Sequence, residues 1–360
     1  MTVRPSSTQV HGESVRRALS AWMWLACALA LGAFALGCQS TALTAAKLYI
    51  KQEKPDAAKE QLLAALQAEP ENAEIHYLLG TLYGKEGDFE SMVASFDQSL
   101  GLSSSFAAQI DEYRRFHWIQ SYNSGIRFAR ANTPDFNAAN ESFENAVLID
   151  PGKLEAWRNL AFVRYQMEDI EGAVGAYRHI ATEAPTDTVS LNSLGVLLLG
   201  EGRQGEAAEV FEQVLELDPT HAGALINLAV VYTDEGRVDE AEAMYKRAGE
   251  ADPEAAPPYY NLGNLYWGQK RYDEAAAAYE AAVERDPTDP DSRFNLAVTY
   301  LSLNNPDDAL PLLQALSEET PDNGPVWREL GRTWALLGKV RESEKAYGMA
   351  EALGEFEPTE

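Results

Sequence analysis

Pro151, Pro185, Pro219, Pro253, Pro287 and Pro321 follow one another at intervals of 34 residues. A period of this size, held over five steps, marks a chain built from stacked copies of one supersecondary unit, each able to bury its apolar face only against its neighbours. Within one period the stretch LNSLGVLLLGEGRQGEAAEVFEQVLELDP carries apolar or small residues at helical spacing, is broken near its middle by glycines and is closed by Asp-Pro. It reads as two helices joined by a tight turn. Proline ends the second helix because it has no amide to continue the hydrogen-bond ladder and restricts the residue before it.

The period has an internal pattern. One copy carries Leu228, Ala229, Tyr232, Gly236, Ala241, Tyr245, Ala248 and Pro253; the next carries Leu262, Gly263, Tyr266, Ala275, Tyr279, Ala282 and Pro287; the third carries Leu296, Ala297, Tyr300, Ala309 and Pro321. Small residues such as Gly263 and Ala275 belong where two helices cross closely, and the aromatics fill the space beside them. This pattern resembles the tetratricopeptide repeat (TPR). The resemblance implies an all-α fold, a right-handed superhelical solenoid of antiparallel helix pairs. Backwards, the frame meets Leu79, Gly80, Tyr83 and Gly87, and a degenerate first unit with Tyr49, Ala58, Ala65 and Pro70; forwards it meets Trp327, Leu330, Gly331, Trp334, Gly338 and Tyr347. The expected organisation is an export segment at 1–37, one elongated domain of about nine units at 38–357, and a tail at 358–360. The third unit, 107–153, is enlarged, because Ser104 to Pro151 spans 47 residues rather than 34.

The front of the chain is of another kind. Arg4, Arg16 and Arg17 stand against the single acid Glu13, and the charge-free run ALSAWMWLACALALGAFALG follows. A basic region followed by an apolar one is the layout of an export signal, although 20 apolar residues also suffice to span a bilayer. Ala35, Leu36, Gly37 and Cys38 resemble a bacterial lipobox, with Leu36 larger and Ala35 smaller than that pattern has at those places. The resemblance implies lipid on Cys38, and Gln39 in place of an aspartate implies sorting to the outer membrane, facing the periplasm. An uncleaved inner-membrane anchor and a plain core cysteine are the alternatives.

Charge narrows the partners. With 29 Lys plus Arg against 56 Asp plus Glu, the formal charge is −27, which disfavours nucleic acid, whose binding is driven by cations. His76, His117, His179 and His221 are scattered with no second histidine or cysteine at helical spacing, so no metal site and no catalytic constellation is expected. Gly200, Gly202 and Gly205 match Gly-x-Gly-x-x-Gly, but the same turn recurs as DEGRVDEA and GQKRYDEA, so it joins paired helices rather than cradling a nucleotide. Neither a cofactor nor an enzymatic activity is expected.

Function is therefore expected on the surface, as an interaction adaptor or scaffold; a regulatory or catalytic protein with an unrecognised site, or a structural spacer, is the alternative. By resemblance to the family, the first helix of each unit lines a concave groove. Carried over, the lining residues are Phe162, Tyr165, Asn192, Val196, Leu199, Ile226, Val230, Thr233, Tyr260, Asn264, Trp267, Phe294, Val298 and Leu301, with Arg328 and Arg332 in the last unit. The track suits an apolar extended segment or an amphipathic helix of a protein partner. Aliphatics such as Val196 and Val230 could equally pack against the next unit, and Tyr260 and Trp267 are the residues expected to be most exposed. Arg114, Arg115, Arg127 and Arg130, in an acid-free stretch of the enlarged unit, form a second candidate, either a docking patch for an acidic partner or lipid headgroups, or a helix extension paired with neighbouring acids.

Overall fold

The computed structural model describes residues 41–355. The expectations placed on the export segment, on Cys38 and on the tail lie outside the described residues. Those residues hold eighteen α-helices and one short 3-10 turn, with no strand among them. They fall into two compact units, divided between Ala156 and Trp157.

In the first unit α1 (Thr41–Lys51) pairs with α2 (Pro55–Ala68), α3 (Ala73–Glu86) with α4 (Phe89–Leu102), and α5 (Ala107–Ala129) with α6 (Phe136–Ile149). Leu43, Ala46, Ala58, Leu62 and Ile75 close one core, and Met92, Phe96, Ile110 and Ile149 another. Helix α5 has 23 residues, where its counterparts α1 and α3 have 11 and 14. Its rise of about 1.5 Å per residue gives it a length of roughly 35 Å.

The second unit takes in most of α7 (Leu154–Gln166), then α8 (Ile170–Glu183), α9 (Thr188–Gly200), α10 (Gln204–Leu217), α11 (Ala222–Asp234) and α12 (Val238–Ala251). It continues with α13 (Pro257–Gly268), α14 (Tyr272–Arg285), α15 (Pro290–Ser302), α16 (Pro306–Glu319), α17 (Gly324–Leu336) and α18 (Val340–Ala352). One apolar core runs from Val174 to Leu296, and a second joins Ala297, Leu313, Val326 and Ala346.

The period is written into the backbone. Residues with positive φ stand at Glu53, Gly87, Glu168, Gly202, Gly236, Lys270, Asn304 and Gly338. Each follows the first helix of a pair at the left-handed position that lets a helix end and turn back. The next amide then closes the turn on a carbonyl five residues earlier, as from Arg203 to Leu198 at 2.9 Å and from Arg237 to Tyr232 at 2.8 Å. The second helices that end at Ile149, Leu217, Ala251 and Arg285 stop directly before an Asp-Pro pair, and the aspartate amide still bonds back into the helix, as from Asp218 to Val214 at 2.8 Å. Between the helices of a pair a glycine meets an aromatic ring. A Cβ on Gly263 would stand 2.5 Å from the Tyr279 ring, and Gly195, Gly80 and Gly331 face Phe211, Phe96 and Tyr347 in the same way. Only the absent side chain lets the rings come this close to the facing helix.

Candidate partner groove

Helix α7 buries Leu160, Ala161 and Val163, and α9 buries Leu191, Leu194 and Leu198. The face beside each stripe remains open. Phe162 and Tyr165 on α7 and Val196 on α9 are 49%, 50% and 46% exposed. With Ile170 and Tyr177 of α8, and with Asn192, Ser193 and Glu201, they line a groove of about 570 Å³ whose walls are mostly apolar. Aromatic and aliphatic side chains left half in water around one concavity are a mark of an interaction surface rather than of packing.

The two arginines of α7 are already engaged. Arg158 donates to Asp187 at 2.7 Å and to the Ser190 hydroxyl at 3.2 Å. Arg164 donates to the Gly172 carbonyl at 3.2 Å and lies 3.8 Å from Asp169. Glu201 lines the groove, and Glu168 stands in the turn just beyond Tyr165; both are exposed and neither has an ion pair among the described residues.

The structure brings together Phe162, Tyr165, Asn192 and Val196 from the residues expected on the groove, and it separates the others from them. Ile226 and Val230 are half-buried against the unit's core, and Asn192 accepts from Asn227 at 3.3 Å. Tyr260 and Trp267, expected to be the most exposed, are instead half-buried. Tyr260 accepts from Asn295 at 3.4 Å, and the Trp267 ring packs 4.9 Å from that of Tyr272. The large rings are drawn in because neighbouring helices offer them partners. Asn264 accepts from the Tyr279 hydroxyl at 2.6 Å. Phe294 lines a different hollow, with Pro290, Leu316 and Val326; Val298 is half-buried, Leu301 is buried and Thr233 is exposed. Arg328 pairs with Glu355 at 2.6 Å and Arg332 with Glu329 at 3.3 Å, so both arginines are held by acids of their own unit. Ile170, Tyr177 and Glu201 were not on the expected track, which took only first helices as lining; Ile170 and Tyr177 belong to the second helix of the pair and Glu201 to the turn.

The arginines of α5 do not form one patch. Arg114 donates to Asp97 at 2.5 Å. Arg114 and Arg115 together line a small hollow of about 360 Å³ with Asp111, Trp118, Asp150 and Lys153. Arg127 and Arg130 stand at the far end of the helix, roughly 18 Å further along its axis by the rise per residue. Arg127 lies 4.8 Å from the centre of the Phe128 ring, and Arg130 is exposed at the helix end.

Each of the four histidines among the described residues has a structural task. His76 meets the Pro70 carbonyl at 3.0 Å, His117 packs among the rings of Phe89, Tyr113 and Phe116, His179 stacks 4.0 Å from Trp157, and His221 caps α11 by accepting from the Ala224 amide. Burial lowers the His117 pKa below its ordinary value. Among the described residues no group of three or more His, Cys, Asp or Glu is placed to hold a metal ion, and no helix is long and apolar enough to cross a membrane.

Residues 198–264 and 266–346 match a family model described as tetratricopeptide repeat, and residues 43–105 match a second model of the same description. These segments together exceed half of the 360 residues. No curated protein matches the chain. Among solved structures, a tetratricopeptide repeat protein from Parabacteroides merdae is 16% identical, with a TM-score of 0.51 over 66% of this chain and 94% of that one. PilW, a widely conserved type IV pilus biogenesis factor, is 21% identical, with a TM-score of 0.50 over 58% of this chain and 96% of its own. YrrB, a TPR protein with an unusual peptide-binding site, is 22% identical, with a TM-score of 0.46 over 51% and 94%. These are likenesses of fold. The 34-residue period in the backbone, the rings laid on glycines and the two family matches have one meaning: the chain belongs to the tetratricopeptide-repeat family.

Proposed function

We propose that this protein is an adaptor of the bacterial envelope, held to the outer membrane by lipid on Cys38 and facing the periplasm, that binds a segment of another protein in the groove of its second unit. The observation that carries the groove is the exposure of Phe162, Tyr165 and Val196 around one apolar concavity. Aromatics of this kind dominate binding energy where a partner covers them. The bound segment is an extended apolar stretch or the apolar face of an amphipathic helix. The anchoring rests on the sequence alone, on the basic and apolar residues before Leu36, Gly37 and Cys38.

In-cell photo-crosslinking from position 196, with position 267 as the internal control, tests the groove. The expected result is one dominant envelope protein captured from 196, and only neighbouring helices of the same chain from 267, where Trp267 is half-buried. Capture of nothing but its own helices from both positions would remove the groove from consideration.

A further inference from the structure

We infer that the segment bound in this groove is cationic as well as apolar, with a lysine or arginine beside its apolar anchor; this rests on the groove reading above. Between residues 157 and 355 there are 36 acidic and 16 basic side chains, so the whole second unit attracts positive charge. The groove concentrates that field at one end. Tyr165 lies in the last turn of α7, and Gly200 ends α9, so the end that holds Tyr165 and Glu201 receives the carbonyl ends of two helices. These carry partial negative charge. The last turn of α9 has no basic residue, and that of α7 has only Arg164, which is tied to Asp169 and Gly172. Glu201 and Glu168 add two formal charges there, neither of them met by an internal cation among the described residues.

Glu168 has a further property. It occupies the left-handed turn position, with φ 62°, where the next two units have Gly202 and Gly236. A carboxylate-bearing residue is strained at this position, and glycine is not. Its amide bonds to the Tyr165 carbonyl at 3.0 Å, which fixes the residue within one turn of the groove's acidic end. The cation of the ligand meets these carboxylates while its apolar neighbour enters among Phe162, Tyr165 and Val196.

Glu168 makes a clean test available, because replacing it with glycine relieves the backbone while removing the charge. The full-length protein in a non-ionic detergent is titrated calorimetrically with a blocked pentapeptide of one phenylalanine, two leucines and two lysines. The same peptide with glutamates for lysines is the comparison. The lysine peptide is expected to bind at least tenfold more tightly, and to weaken as salt is raised. Glu201→Gln and Glu168→Gly should each weaken it several-fold, with the melting temperature of Glu168→Gly equal to or above that of the parent protein, so that the loss is not one of folding. Equal binding of the two peptides, absence of binding by both, or indifference to the two carboxylate variants would overturn the inference. Val196→Asp separates this from the groove reading: if it abolishes a binding that shows no charge preference, the groove stands and the cation does not, and if it changes nothing, both fall.

Discussion

Glu242 is a carboxylate held in its charged form by two cations. Lys246 donates to it at 2.6 Å and Arg271, from the next pair, at 2.9 Å, and its side chain is only 17% exposed. The hydrogen bond from Lys246 is the foremost cause of a pKa lowered from 4.5 to about 2; burial works in the opposite direction, and the bond from Arg271 adds to the lowering. A carboxylate whose folded pKa is depressed contributes stability that is fully present above its unfolded value and is lost as pH falls through the folded one. Glu242→Gln should therefore be less stable than the parent protein at pH 7, and the difference should shrink between pH 4.5 and about 2. Denaturant midpoints taken at a series of pH values would check this, and a difference that does not change with pH would show that the pair is merely a surface contact. At this scale the sequence was informative wherever packing repeats: Gly263 and its aromatic partner could be read from their recurrence at 34-residue intervals, and the ring of Tyr279 does lie on Gly263. It was silent on Arg271 reaching back to Glu242, because ion pairs between successive units depend on long side chains with many rotamers and follow no period.

The element scale turns on how each first helix stops. Gly87, Gly202, Gly236 and Gly338 hold the left-handed position without strain, while Glu53, Glu168, Lys270 and Asn304 hold it with a Cβ. A left-handed backbone costs an ordinary residue about 1–2 kcal/mol, and asparagine less than most. Part of that cost is offset by the greater freedom that glycine has in the unfolded chain. Lys270 is exposed and has no ion pair among the described residues, so Lys270→Gly is expected to raise stability by about 0.5–1 kcal/mol. Asn304→Gly, at the equivalent turn, should raise it by less. Equilibrium unfolding of the two variants checks both the sign and the order. The proline period located the ends of second helices well, because proline fixes its own φ and cannot donate an amide, so its position is a geometric statement. The groove was less legible. Phe162, Tyr165 and Val196 could be named from their register on α7 and α9, but exposure depends on what the following pair presents, and the same register places Tyr260 and Trp267 against rings that shield them.

On the scale of the whole molecule, two facts about composition have to be reconciled: a chain of net charge −27 and a charge-free run of 20 residues behind Arg16 and Arg17. A surface so acidic is repelled by anionic headgroups, and among the described residues no helix is long and apolar enough to cross a membrane. A single acyl chain gives only marginal binding, whereas two or more hold a protein firmly. On the proposed reading, such chains are attached at Cys38, at the end of the lipobox-like residues, and cleavage before Cys38 would leave the other cysteine, Cys27, behind with the apolar run. If this proposal holds, Cys38→Ser changes two quantities together. The mature mass no longer includes the acyl groups, and the protein either shifts from the outer-membrane fraction or is retained, unprocessed, at the inner membrane. A protein of unchanged mass in an unchanged fraction would show that Cys38 carries nothing. Partner capture from position 196 in the same strain would then show whether the groove depends on being held at the membrane. Its own chemistry, apolar walls with an acidic end, is complete without the lipid, so binding of the lysine peptide by purified Cys38→Ser protein should equal that of the parent protein even where capture in the cell is lost.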